Sequence, residues 1–394
     1  GSGATCGNVQ TSTRNFNTNA NYEYNGTVAQ VTGNALPSSI NTLTINNSNG
    51  VSLTSGLTIN NLLTLINGRL TIASNNLVIE NAASISGTLS ASNMIVVTGT
   101  GELRKVFTGN GSFTFPVGDN TGSAEYSPVY INLTASGYSS AYIGIKLLNQ
   151  AHASLMNSPA DKLIRYWTVT SAGLTNPSYN ADFYYLDADI TGTETNLIGA
   201  RYVAGTGWLA FSPVDAGNNK IYVTGQSVFG DFTAAGQNAF SYTTVSTGLW
   251  TTNSNWNCNC QPPTGALVVI NNNPITLNQN VTLSSITINP SAVLNSENGQ
   301  SRILTILTGG SFINNGTYTA NDGKLIFAGS GAVSGIVAFN NVDISGGVDF
   351  GANSTINGIL SLNNGGYVNT NAPIYGNGST LKYTSDFELA TEWY

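Results

Sequence analysis

An aliphatic residue, a small polar residue and a second aliphatic residue recur as a triplet along much of this chain. The first run reads Leu43-Thr44-Ile45, Val51-Ser52-Leu53, Leu57-Thr58-Ile59, Leu63-Thr64-Leu65, Leu70-Thr71-Ile72, Leu77-Val78-Ile79, Leu89-Ser90-Ala91 and Ile95-Val96-Val97. Asn and Gly fill most of the gaps. Alternate side chains of a strand face opposite ways, so each triplet sends two aliphatics to one side and its middle residue to the other. Successive triplets start roughly six to eight residues apart, too close for a helix between them. Every third triplet falls about 18 to 20 residues further on, from 43 to 63, 51 to 70, 57 to 77 and 70 to 89. A fixed repeat of that length predicts a solenoid. Three short strands per turn, coiled around a dry aliphatic bore, make a parallel β-helix.

The predicted fold class is all-β: two parallel β-helix segments flanking a β-sandwich. Residues 1–98 form the first solenoid, with about four turns from residue 20 onward and a length of ~20 Å at the usual strand spacing. The pairs Asn46-Asn47, Asn60-Asn61 and Asn75-Asn76 are placed at corners, where Asn tolerates left-handed backbone and stacked amides bond from turn to turn. Residues 99–237 read as an immunoglobulin-like sandwich. Aromatics appear there, strands lengthen as in Ala141-Tyr142-Ile143-Gly144-Ile145-Lys146-Leu147, and Gly, Pro and Asn mark the turns. The stretch near Gln150 to Lys162 is open to a short helical turn.

Residues 238–394 form the second solenoid. Its triplets include Val268-Val269-Ile270, Ile275-Thr276-Leu277, Ile286-Thr287-Ile288, Leu325-Ile326-Phe327, Val342-Asp343-Ile344, Leu360-Ser361-Leu362 and Leu381-Lys382-Tyr383. The last four step by 17, 18 and 21 residues. Ahead of them, Trp250 and Trp256 are expected to cap the open end, because an uncovered edge invites strand addition.

Composition narrows the function. Only 8% of the 394 residues are charged, and the net charge of −7 argues against nucleic acid or anionic membrane as a partner. No stretch approaches the ~18 apolar residues that span a bilayer. A hydrophobic fraction of 41% in regular positions excludes a disordered tract. Gly1-Ser2-Gly3 reads as a leftover of expression, and Tyr383-Thr384-Ser385-Asp386-Phe387 as the opening of another unit, so the chain reads as a piece of a longer protein. Three cysteines are too few for a disulfide framework. Cys258 and Cys260 are spaced for a small loop disulfide in an oxidising setting; zinc would need two further ligands.

Trp250 and Trp256, the pair Pro262-Pro263 and Val268-Val269-Ile270 resemble the opening of solenoid units in long, repetitive surface adhesins exported by the type IX secretion system of Bacteroidota. The stretch Gly111 to Asp119, then Tyr126-Ser127-Pro128-Val129, Arg165-Tyr166-Trp167-Thr168-Val169, Tyr185-Leu186-Asp187-Ala188-Asp189, Arg201-Tyr202 and Gly207-Trp208 resemble a module found between such solenoids. The resemblance implies an extracellular or cell-surface protein acting in adhesion or gliding motility. It supplies no catalytic residues, and the family's C-terminal sorting domain is missing.

Candidate chemistry is sparse. The single histidine, His152, lies outside any nucleophile motif, so a Ser-His-Asp triad has nothing to assemble around it. Parallel β-helices also carry polysaccharide-degrading sites, which need clustered carboxylates. Asp322, Asp343 and Asp349 are the candidates, with Asp343 on the outward middle of its triplet. Asp187, Asp189 and Glu194 place three oxygen donors within eight residues. That spacing suits a Ca²⁺ ion, or a strand end whose carboxylates cap backbone amides. Asp119, Asn120 and Glu125 form a second acidic turn. Trp208 and Tyr202, with Tyr184, Tyr185 and Trp393 as further aromatics, are candidate platforms for glycans. The outward Thr44 and Thr64, and Ser52, Thr71 and Ser90, form ladders best read as hydrated ridges.

The chain is therefore expected to be non-enzymatic and without an obligatory cofactor. It would be a stiff stalk that spaces or displays binding modules, with extracellular glycans, surfaces or neighbouring units as partners. A polysaccharide-binding or polysaccharide-degrading β-helix protein is the alternative.

Overall fold

The computed structural model describes residues 15–204 and 207–384; Gly1-Ser2-Gly3, Cys6, Trp393 and the final Ser385-Asp386-Phe387 lie outside them. The chain is all-β, with 53% strand and no α-helix among the described residues. The stretch from Gln150 to Lys162 runs as turns and bends until the short strand Lys162–Leu163. The chain divides into two compact units, one of residues 1–205 and 211–237, the other of residues 206–210 and 238–394.

In the first unit the triplets stack as anticipated. Leu43 lies opposite Leu63 and Thr44 opposite Thr64, in parallel register. Leu57 lies opposite Leu77, which in turn pairs with Leu103. A second wall stacks Gln30–Val31, Val51–Ser52, Leu70–Thr71, Ile95–Val96 and Val117–Asp119, all in parallel. Apart from the half-buried Val31 on the outermost strand, the bore-facing aliphatics of these strands are buried. Each full burial of an Ile, Leu or Val side chain contributes about 1.5–3 kcal/mol, and these add up along the bore.

Two predicted details differ. Leu70 pairs with Ile95, so that step is 25 residues (95 minus 70) and not the 19 that leads to Leu89. Residues 88–94 bulge from the wall instead, closed by a bridge between Ser90 and Asn93. The Asn93 side chain ties the bulge down, accepting from the Gly68 amide and donating to the Thr88 carbonyl. The third member of the Ser52–Thr71 ladder is therefore Val96 and not Ser90. The corner asparagines also avoid the left-handed region, which is occupied by Ala73, Gly50 and Gly68. The expected bonding from turn to turn is made by Asn47 and Asn75, while Asn60-Asn61 lies inside the strand Leu57–Asn67. Asn47 donates to the Val28 carbonyl one turn away, and Asn75 to the Leu53 carbonyl. Gly68 is obligatory there: at φ +98°, a Cβ would lie 1.8 Å from the Asn47 carbonyl oxygen.

The boundary expected between residues 98 and 99 is not a break. Leu103–Phe107 extends the solenoid in parallel on one edge and pairs antiparallel with Gly137–Leu148 on the other. The physical reason is that a solenoid ends on an open strand edge, which the antiparallel strands cover. They continue through Tyr166–Thr175 to Asp231–Gly236 and Leu197–Val203. A second antiparallel sheet orders Gly111–Phe115, Val129–Thr134, Ser178–Tyr184 and Lys220–Gln226. Inward side chains of the two sheets meet, Phe183 stacking on Phe232 at 4.5 Å and leaning on Trp167 at 5.6 Å. These rings and the solenoid bore form one continuous core.

The second unit repeats the parallel pattern. Leu304, Leu325, Val342, Leu360 and Leu381 are successive register partners, so the steps of 17, 18 and 21 residues hold. A second wall runs through Gly310–Asn314, Gly331–Gly335, Gly347–Asp349 and Tyr367–Val368. At its start, Ser241–Thr243 and Gly248–Leu249 are the outermost strands of their sheets. Trp250 and Trp256 are fully buried in that terminal turn.

Candidate functional site

Twelve cations serve the whole chain, so a fully buried one needs a reason. Arg165 is 0% exposed. It sits between the strand Lys162–Leu163 and the strand Tyr166–Thr175. Its guanidinium faces three carboxylates that arrive from separate elements: Asp119 at 2.6 Å, Asp189 at 3.1 Å, and Glu125. It also donates to the Ser127 hydroxyl, whose carbonyl receives the Trp167 indole N–H at 3.2 Å. Asp119 further accepts from the Thr121 amide and from Asn149, and Asp189 from the Leu186 amide. The fork joins the last parallel level of the solenoid to the antiparallel sheets. Its fixed planar geometry suits several carboxylate acceptors at once.

The cluster holds more negative than positive charge when fully ionised. Burial pushes the Asp189 carboxyl up to about 6; Arg165 and the Leu186 amide pull it down, while Glu125 and Asp119 push it further up. An acid raised in the folded state keeps a proton that the unfolded chain has released, so stability falls as pH rises from about 4 through 6. The lowered Asp161 and Asp231 act oppositely, but only near and below pH 4. The unfolding free energy of the first unit should therefore drop by on the order of 1 kcal/mol between pH 5 and pH 7. Urea titrations at the two pH values check this. Asp189→Asn should remove most of the slope, and a slope that survives it assigns the effect elsewhere.

The predicted Ca²⁺ ligands do not converge. Asp189 faces Arg165, Asp187 accepts from the Asn219 side chain at 2.6 Å, and Glu194 accepts from the Tyr185 hydroxyl at 2.8 Å. No group of three or more Asp, Glu, His or Cys residues fit to hold a metal occurs among the described residues. The structure instead brings Asp189 to Asp119 and Glu125 from the other acidic turn.

The candidate glycan platforms are likewise displaced. Trp208 is 4% exposed, packed on Phe240 at 4.9 Å, and Tyr242 is nearly fully buried beside it with its hydroxyl receiving the Trp208 amide. Tyr202 leans on His152 at 4.9 Å, and Tyr185 is buried. Stacking on a sugar needs an open ring face, which Trp208 lacks.

His152 is buried, its Nε2 3.1 Å from Asp231 and its Nδ1 accepting the Ser154 amide. With Nδ1 taken by a backbone donor, the ring is held as a structural bridge. In the second unit, Asp343 pairs with Lys324 at 2.9 Å on the adjacent turn. Asp349 accepts from the Gly351 amide and from Asn371, contacts that hold its carboxyl below the usual range. Asp322 accepts from the Gly299 amide. The three carboxylates have three separate partners. Cys258 and Cys260 are joined by a disulfide.

One exposed surface was not singled out from the sequence. On the four-stranded sheet of the first unit, Val129, Ile131 and Leu133 point inward and Tyr130, Asn132 and Thr134 outward. Tyr130 lies opposite Asp182, and Asp182 opposite Tyr222, so the three form a row across three strands. Asn132 and Asn180 form the adjacent row. With Pro213, Val214 and Asp215 along one side, these residues line an open groove of about 680 Å³. The outward Tyr in Val-Tyr-Ile-Asn-Leu-Thr was the signal available in the sequence.

These features define a β-solenoid repeat protein whose first unit carries an antiparallel extension. Comparison with protein families, curated proteins and solved structures finds no match.

Proposed function

We propose that the chain is a non-enzymatic, mechanically stiff spacer from a large extracellular or cell-surface bacterial protein. In this reading the two antiparallel sheets of the first unit form a sandwich between two parallel β-helix segments. The carrying observation is the parallel stacking of turns in each unit, continuous from Leu304 to Leu381 in the second, around a bore of aliphatic side chains. Backbone bonds between stacked turns resist bending and shear together, because each turn must break its ladder before the next can move. The Cys258–Cys260 disulfide supports an oxidising compartment. The sequence resemblance to repetitive adhesins exported by the type IX system points the same way, toward adhesion or motility.

Single-molecule force measurements test the spacer. Each unit is expected to stay at its folded length and then lengthen in discrete, cooperative steps. Gradual stretching at low force would sink the proposal.

A further inference from the structure

The groove on the four-stranded sheet of the first unit has the chemistry of a sugar site. Its centre is the row Tyr130–Asp182–Tyr222, with the two tyrosines 37% and 40% exposed on the outward face of the sheet. Two strand spacings put these rings roughly 10 Å apart. Three linked pyranose rings bridge such a span, the outer two each laying a C–H face on one tyrosine ring. Between them, Asp182 offers a carboxylate able to accept from two neighbouring hydroxyls.

The amides complete the set. The Asn180 side-chain oxygen takes the Gly225 amide at 2.8 Å, which fixes the side chain and leaves its NH₂ for a ligand. Asn132 stands beside it in register. Polar groups on a rigid strand, between aromatic faces, are how small ligands are oriented in concave sites of roughly 300–1,000 Å³.

Charge selects among ligands. Among the described residues, Lys220 is the one cation lining the groove, and it is paired to Asp182 at 3.2 Å. Asp215 adds a second carboxylate, so the lining is net negative. An acidic polysaccharide meets repulsion there, whereas a neutral one meets only hydroxyl acceptors and ring faces. Pro213 and Val214 are the aliphatic side chains at the groove, Ala181 and Val223 being turned into the core beneath it, and polar side chains flank them, which fits a sugar better than a greasy protein surface.

We propose that this groove binds a neutral, pyranose-based polysaccharide, with Tyr130 and Tyr222 as stacking platforms and Asp182, Asn132 and Asn180 as hydroxyl partners. The site stands independently of the spacer reading. A stiff protein without it remains a spacer, and a sugar-binding protein need not be stiff.

Affinity electrophoresis of the full chain tests the idea, in gels containing mixed-linkage β-glucan, xylan, galactomannan, alginate or polygalacturonate. At least one of the three neutral polymers is expected to retard the protein, and the two acidic ones are not. Tyr130→Ala and Tyr222→Ala should each weaken retardation roughly tenfold, about 1.4 kcal/mol of binding. Tyr130→Phe should keep most of it, since the ring face is retained. Tyr375→Ala, at an exposed tyrosine of the second unit, should change nothing. Melting curves confirm that the variants fold. The proposal is overturned by no retardation in any neutral polymer, by retardation only in the acidic ones, or by undiminished retardation of folded Tyr130→Ala and Tyr222→Ala proteins.

Discussion

Replacing Arg165 by Met should destabilise the first unit by about 3–5 kcal/mol. The substitution keeps most of the side-chain volume and removes the charge, so the loss reports electrostatics and not a cavity. Without the guanidinium, Asp119 and Asp189 are left with 0% and 1% exposure and no counter-charge. They must then take up protons, open to water or separate, and each route costs free energy that the folded state now avoids. Ser127 also loses its donor, and with it the support beneath the Trp167 indole. Urea unfolding checks the size of the effect. Arg165→Lys should fall between, because an ammonium keeps the charge and loses the planar fork. Adding Asp119→Asn and Asp189→Asn to Arg165→Met should restore part of the loss, since a neutral cluster needs no cation. An unchanged urea midpoint for Arg165→Met would show that this cluster does not hold the solenoid to its antiparallel extension.

In the second unit the largest expected loss comes from Trp256→Ala, also about 3–5 kcal/mol. Trp256 is 1% exposed, lies 4.7 Å from the Trp250 ring in an edge-to-face arrangement, and donates its indole N–H to the Trp250 carbonyl at 2.9 Å. The Trp250 amide in turn donates to Thr276 on the next turn. Nearby, buried Asn255 holds Leu249 and Ser246. Removing the indole therefore empties the terminal turn and frees the strands Ser241–Thr243 and Gly248–Leu249. The first full turn would then present bare edges, which recruit other chains. Lower urea resistance and concentration-dependent aggregation are both expected. Trp256→Phe should lose less, because a ring still fills most of the space. A Trp256→Ala protein with native stability would show that neighbouring turns carry the end unaided.

Much of the fold was legible because its physics is local and periodic. A two-residue alternation repeated at a near-constant step leaves a solenoid as the economical way to bury every aliphatic pair, and Leu325, Val342, Leu360 and Leu381 land where the spacing put them. Details set by insertions escaped it. Leu89-Ser90-Ala91 has the triplet pattern yet sits in a bulge, since pairing is decided by what the neighbouring turn can reach and not by local hydrophobicity. Of the expected corner asparagines, Asn47 and Asn75 bond from turn to turn as read but without left-handed backbone, and Asn60-Asn61 lies inside the strand Leu57–Asn67.

The sites divide along the same line. From composition and order alone, the chain determined its strand-rich nature, its repeating parallel turns, the tryptophan-rich start of the second solenoid and the near neighbours Cys258 and Cys260. These depend on residues close together or evenly spaced. Only the tertiary structure joined Asp119, Glu125, Arg165 and Asp189 into one buried cluster, turned Trp208 inward, and aligned Tyr130, Asp182 and Tyr222 across three strands. Such partners lie tens of residues apart along the chain. Their meeting is fixed by strand register and by which sheet face is buried, quantities that no local pattern encodes.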